Sequence, residues 1–207
     1  MIKAVFIFAL CGIFYFGTAA AKAEVSAANP VEISAAKSLE WDRVNKTYTA
    51  AQDVVVKQGE MKIESGNLVA HYSDKSGTAD ITTIEASNNV VITSPPYVAY
   101  GDKAVYNVES GNALLTGKKL TVLTDNDVMT ADDKVEFFRN ERKLVASGNP
   151  LIKHELDTIS ARVMTAYFKA GLNGKLEAEK ITAEGGVVIK TVKETLKNIK
   201  SRIINEK

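Results

Sequence analysis

Five aromatic residues, Trp41, Tyr72, Tyr106, Phe137 and Tyr167, stand 31, 34, 31 and 30 residues apart, each closing a short run in which apolar and polar residues alternate. A second landmark keeps the same beat: a small residue, a turn-forming pair, then a β-branched or apolar run. It occurs as Ala50-Ala51-Gln52-Asp53-Val54-Val55-Val56, Ala86-Ser87-Asn88-Asn89-Val90-Val91-Ile92, Ala146-Ser147-Gly148-Asn149-Pro150-Leu151-Ile152 and Ala183-Glu184-Gly185-Gly186-Val187-Val188-Ile189. Leu115-Thr116-Gly117 is a fainter copy. Such periodicity means one supersecondary unit of three or four strands, stacked about five times so that each layer pairs with its neighbours. The unit is short for a propeller blade, which takes roughly 40 residues or more. Between the landmarks, runs such as Leu68 to Tyr72, Lys103 to Val108 and Val163 to Phe168 have period two. Punctuated by Asn-Asn, Gly-Asn and Gly-Gly, they read as strands and hairpins.

The two ends of the chain read differently. Lys3, the apolar stretch from Val5 to Phe16, and Ala21-Lys22-Ala23 before Glu24 have the form of a secretory signal peptide over 1–23. Leu10 is too bulky for the position before a lipid-modified cysteine, which argues against that role for Cys11. Removing 1–23 leaves 184 residues, no thiol and a net charge of −1 instead of +1. Residues 24–190 are then the β domain and 191–207 a basic tail. In that tail Val192, Leu196, Ile199 and Ile203 recur at helical spacing, flanked by Lys193, Lys197, Lys200 and Arg202.

Catalytic chemistry finds few parts. There are two His and one Cys in 207 residues, and His154-Glu155 does not extend into His-Glu-x-x-His. Gly-x-Ser-x-Gly and the Gly-rich phosphate loops are absent from the sequence. Asp125, Asp127, Asp132 and Asp133 lack the turn glycine and terminal glutamate of a calcium loop and read as a solvated turn. A net charge of +1 provides no field for nucleic acid. The chain is therefore read as a non-enzyme, with no cofactor, no metal, no catalytic residue and no nucleic-acid partner.

Several blocks resemble the LptA/OstA family: Ala36-Lys37-Ser38-Leu39-Glu40-Trp41, Tyr48-Thr49-Ala50, Val54-Val55-Val56-Lys57-Gln58-Gly59, Gly101-Asp102-Lys103-Ala104-Val105-Tyr106, Leu114-Leu115-Thr116-Gly117 and Asp133-Lys134-Val135-Glu136-Phe137-Phe138. The resemblance covers about Val31 to Ile189. It implies a periplasmic β-jellyroll, two antiparallel sheets opened into a V, with an apolar interior that shelters the acyl chains of lipopolysaccharide. It also implies head-to-tail self-association through edge strands, an LptC-like partner at the inner membrane and an LptD-like partner at the outer membrane. Gly117-Lys118-Lys119 stands where the family has Gly-Asn-Val, which implies a different bend in that layer.

Strand alternation then selects a lining. If each landmark aromatic points inward, so do the residues two and four before it. The set is Leu39 and Trp41; Leu68, Ala70 and Tyr72; Ala104, Tyr106 and Val108; Val135 and Phe137; Val163, Thr165 and Tyr167. Val31 and Ile33 alternate near the start and join it as lipid-contact candidates. Two other readings make the chain a structural or adhesive β-solenoid with a fully packed core, or an LptC-like subunit tethered to the inner membrane by an uncleaved N-terminus.

Overall fold

A computed structural model of the chain describes residues 30–74, 79–171 and 176–192. The export segment over 1–23 and the helical stripe beyond Val192 lie outside the described residues. The described chain is all-β: β1 (Glu32–Ser34), β2 (Ser38–Asp42), β3 (Thr47–Gln58), β4 (Met61–Ser73), β5 (Asp80–Ser94), β6 (Tyr97–Asn107), β7 (Ala113–Thr116), β8 (Leu120–Leu123), β9 (Asp127–Ala131), β10 (Lys134–Phe138), β11 (Lys143–Ser147), β12 (Leu151–His154), β13 (Asp157–Ser160), β14 (Val163–Ala170), β15 (Leu176–Glu184) and β16 (Val188–Lys190).

These segments form one antiparallel sheet folded lengthwise into two arms. Arm A runs β2-β3-β4-β5-β6-β7-β10-β11-β14-β15, and arm B runs β1-β3-β4-β5-β6-β8-β9-β12-β13-β16. β3, β4, β5 and β6 are long enough to belong to both, one half in each. Elsewhere two short segments make one pass, so the chain climbs through ten rungs, each bent at a common spine. This is a β-jellyroll of two facing antiparallel sheets. Each repeat of the sequence is two rungs, which is four strand segments.

The bends have a local cause. At alternate rungs the spine carries residues with positive φ: Gln52 and Asp53 (67° and 47°), Asn88 and Asn89 (68° and 55°), Gly117 and Lys119 (147° and 58°), Gly148 and Asn149 (84° and 52°), and Gly185 and Gly186 (75° and 65°). Left-handed residues leave the extended line, and the ladder breaks register between Ala51 and Val54 and between Ser87 and Val90. Glycine, Asn and Asp adopt this conformation at least cost, which is why those types recur there. The small-residue motif therefore marks a corner within one pass, not the end of a hairpin. At Gly117 the two left-handed residues are separated by Lys118, whose N–H donates to Asp102 Oδ2 at 2.9 Å. The intervening rungs bend at 35–37, 65–66, 101–102, 132–133 and 161–162 without left-handed residues.

Between the arms lies the core. Near the spine, arm A presents the cross-strand row Leu39, Ala50, Leu68, Ala86, Ala104, Leu115, Val135, Ala146, Met164, Ala183. Ala50 to Met164 in that row are buried. The facing row of arm B is Ile33, Val56, Ile63, Ile92, Ala99, Val122, Met129, Ile152, Ile159, Ile189. At roughly 1.5–3 kcal/mol for each fully buried aliphatic side chain, these two rows are the main cohesive force between the arms.

Candidate lipid-sheltering interior

The buried core between the arms is apolar and uncharged. Among the described residues Ser65 is the buried polar side chain, and its Oγ donates to the Asn67 carbonyl at 3.0 Å. No buried side-chain nitrogen or oxygen among them lacks a hydrogen-bond partner. The Tyr106 hydroxyl donates to Gln58 Oε1 at 2.9 Å, and the Tyr97 hydroxyl donates to the Leu176 carbonyl at 3.1 Å. Burial pushes both phenols above their usual pKa range; for Tyr97 the charges of Asp127 and Glu177 push the same way. Both therefore remain neutral donors. The buried core thus offers hydrocarbon an apolar surface, and on arm B the ionisable Asp127, His154 and Asp157 share its inward face only at the outer turns, two residues beyond Met129, Ile152 and Ile159.

Those two hydrogen bonds also measure how the arms overlap. Tyr106 belongs to the fifth rung of arm A and Gln58 to the second rung of arm B, while Tyr97 belongs to the fifth rung of arm B and Leu176 to the tenth of arm A. Twisted sheets thus face each other with an offset of several rungs. The inner face of arm A is left uncovered at the N-terminal end, where Leu39 and Trp41 are 49% and 50% exposed. The inner face of arm B is uncovered at the C-terminal end, where Ile189 is 64% exposed. At the first of these ends Trp41 stacks on Tyr48 (5.8 Å between centroids), Tyr48 meets Tyr72 (5.2 Å), and Trp41 Nε1–H donates to Tyr72 Oη at 3.0 Å. The Arg43 guanidinium lies 5.0 Å over the Trp41 ring.

Of the residues selected by alternation, Leu39, Trp41, Leu68, Ala70, Tyr72, Ala104, Tyr106, Val135 and Phe137 fall on the interior rows of arm A. Val108 packs against the core beyond the end of β6, as do Val31 just before β1 and Ile33 within it. Val163, Thr165 and Tyr167 lie on the other face. In β14 it is Met164 that is buried, at 2% exposed, paired with Ala146 and Ala183; Ala166 and Phe168 follow it inward. Tyr167 pairs with Lys143 and Lys180 on the outside, and the Lys180 ammonium lies 5.9 Å from its ring centroid. The sequence selection also passed over Tyr48, Ile84 and Leu144, and the row of arm B beyond Ile33. The signal for arm B was the run after each corner, whose unbroken apolar character hides which residue points in.

The acidic cluster is divided. Asp125 and Asp127 sit at the outer turn leading into β9, while Asp132 and Asp133 sit at the spine beyond its other end. Asp127 Oδ1 is 2.7 Å from His154 Nδ1, and this hydrogen bond with its carboxylate charge raises the His154 pKa.

Comparisons with known proteins fit this architecture. An uncharacterized protein of Rhizobium meliloti (strain 1021) is 29% identical over 131 residues, 60% of this chain and 70% of the relative. The crystal structure of LptH, the LptA-homologous periplasmic component of the lipopolysaccharide transport device of Pseudomonas aeruginosa, superposes with a TM-score of 0.51 at 17% identity. That superposition covers 58% of this chain and 83% of LptH and shows a shared fold. Residues 32–137, half of the chain, match the family described as LptA/(LptD N-terminal domain) LPS transport protein. A bent ten-rung sheet with an apolar buried core, the shared fold and that match lead to one conclusion: the chain belongs to the LptA/LptD N-terminal-domain family of lipopolysaccharide transport proteins.

Proposed function

We propose that the chain is a periplasmic carrier that shelters the acyl chains of lipopolysaccharide between its arms and forms part of a bridge from the inner to the outer membrane. The observation that carries this reading is the apolar interior that runs through all ten rungs and emerges uncovered at both ends, on opposite arms. A chain of about a dozen methylenes costs roughly 10 kcal/mol to expose to water at about 0.8 kcal/mol per methylene, so a carrier must offer such a surface along its length. The terminal strands, β1 and β2 at one end and β15 and β16 at the other, each have one paired side among the described residues, and their other edges suit strand addition. Because the ends differ, such a contact is head-to-tail and generates an open filament. Its end members would be an LptC-like protein at the inner membrane and an LptD-like protein at the outer membrane.

The test is native mass spectrometry of the protein purified from its host, together with photo-crosslinking to lipid A from positions 137 and 136. The interior position, Phe137, should capture lipid and the adjacent exterior one, Glu136, should not. Absence of bound lipid with equal crosslinking from both positions would favour a packed β-solenoid instead. An N-terminal sequence beginning at Glu24 would exclude a permanently tethered subunit.

A further inference from the structure

β6 sends a tyrosine hydroxyl across the interior from each half. Tyr106, 5% exposed, is enclosed in the middle of the arm A row and bonds Gln58. Tyr97 is the first residue of β6, at the free lip of arm B, and its hydroxyl reaches the Leu176 carbonyl 79 residues further along the chain. Its ring also meets Phe168 edge-on, with centroids 5.4 Å apart and planes at 75°.

Phe168 and Leu176 are where arm A changes course. The β14–β15 ladder slips between Tyr167 and Phe168, and β15 accommodates one extra residue, Glu179. A bulge of this kind sharpens local twist and bends the strand pair. Beyond it, Phe168 pairs with Ala178 and Ala170 with Leu176, continuing the inner face of arm A. The lip of arm A thus meets the opposite lip through one hydrogen bond and one ring pair.

We propose that Tyr97, Phe168 and the Leu176 carbonyl form a latch between the two lips, which must part before an acyl chain enters the interior from the side. This inference rests on the lipid-sheltering reading and assigns residues that control entry. One neutral hydrogen bond and one aromatic pair favour a closed state by roughly tenfold to a hundredfold. A latch of that strength holds the lips together at rest and still opens readily. Tyr106 differs in that its own side chain is buried within the core cluster, whereas Tyr97 is only partly buried and packs against that cluster from outside.

The experiment uses the chain from Glu24 onward, which contains no cysteine. Uptake of lipid A from detergent micelles is followed by the emission of Trp41, the single tryptophan. Tyr97→Phe keeps the ring and loses the hydrogen bond; uptake should accelerate about threefold to tenfold. Tyr97→Cys with Leu176→Cys, joined by a short cleavable bis-maleimide, should slow uptake at least tenfold, and cleavage should restore it. Spin labels at positions 94 and 170 read lip separation without lipid, and Tyr97→Phe should broaden their distance distribution. Circular dichroism melts confirm that each variant is folded. If the wild type takes up lipid A and the bridged protein does so at the same rate, the latch is overturned while sheltering stands. An unchanged spin-label distribution in Tyr97→Phe overturns the latch whether or not lipid binds. If the wild type takes up no lipid A, the sheltering reading fails and its latch with it.

Discussion

Gly148 and Gly186 both occupy left-handed corners of the spine, yet replacing each with alanine should have different consequences. At Gly186 (φ 65°) an added Cβ would meet nothing within 4 Å. The cost there is left-handed strain, about 1–2 kcal/mol, offset by about 0.4–1 kcal/mol from the stiffer unfolded chain, so Gly186→Ala should lose about 1 kcal/mol or less. At Gly148 (φ 84°) the same atom would lie 2.4 Å from the Asp133 backbone nitrogen and 2.5 Å from its Cγ. Main chain cannot yield as a side-chain tip does, so a displacement of the neighbouring rung adds about 1–3 kcal/mol, the usual range for overpacking. Gly148→Ala should therefore lose about 3 kcal/mol, lowering the melting temperature by about 6–12 °C in a chain of this size, against about 2–4 °C for Gly186→Ala. Urea titration and calorimetry measure both. Adding Asp133→Ala to Gly148→Ala should give no rescue, because the nearest atom is backbone. Equal losses at the two glycines, or rescue by Asp133→Ala, would refute the close-approach account of the corner.

Three other outcomes are expected. Met164→Asp should cost more than about 3 kcal/mol by burying an unpaired charge, and Thr165→Asp about 1 kcal/mol or less, which denaturant titration resolves and which tests the phase of β14. His154 has a raised pKa in the folded state because Asp127 bonds and faces it, so its stabilising contribution is complete below the ordinary histidine value of 6.5 and is lost as pH rises through the raised value. Asp127→Asn should bring the His154 titration, followed by NMR, back toward 6.5 and flatten that dependence. Lipid A capture should shift Trp41 emission to the blue, since the ring is half-exposed on the inner face, and Lys103→Asp on the outer face should leave that shift intact while Tyr106→Asp abolishes it.

The rung repeat was legible because the aromatic landmarks and the corners recur together, and nine of the inward assignments on arm A followed from them. Two features misled for physical reasons. A two-residue hairpin turn and a spine corner both require consecutive left-handed residues, so Asn88-Asn89 or Gly148-Asn149 satisfies either, and only pairing beyond the bend tells them apart. In β14 the inward residues beside the spine are Met164 and Ala166, and Ala166 is too small to announce itself, whereas the large Tyr167 lies outside beneath Lys180. Arm B hid its phase in runs such as Val54-Val55-Val56, where the inward Val54 and Val56 are nearly inaccessible and Val55 between them is only half-buried. The offset between the arms left no trace in the sequence, because it arises from the accumulated twist of many rungs and not from any one of them.

The alternation of corner types along the spine restricts how this molecule can change length. Strand direction reverses at every rung, and left-handed corners appear at every second one. Deleting a single rung of about 15 residues would bring two corners of the same kind together and deliver the chain to the wrong lip for its next turn. Deleting or inserting two rungs would restore both direction and corner order, leaving the two terminal strands chemically unchanged. Insertions and deletions among relatives should therefore come in even numbers of rungs. The span between the ends would then change in steps of about 9–10 Å, two interstrand spacings, while the surfaces that meet a neighbour stay the same.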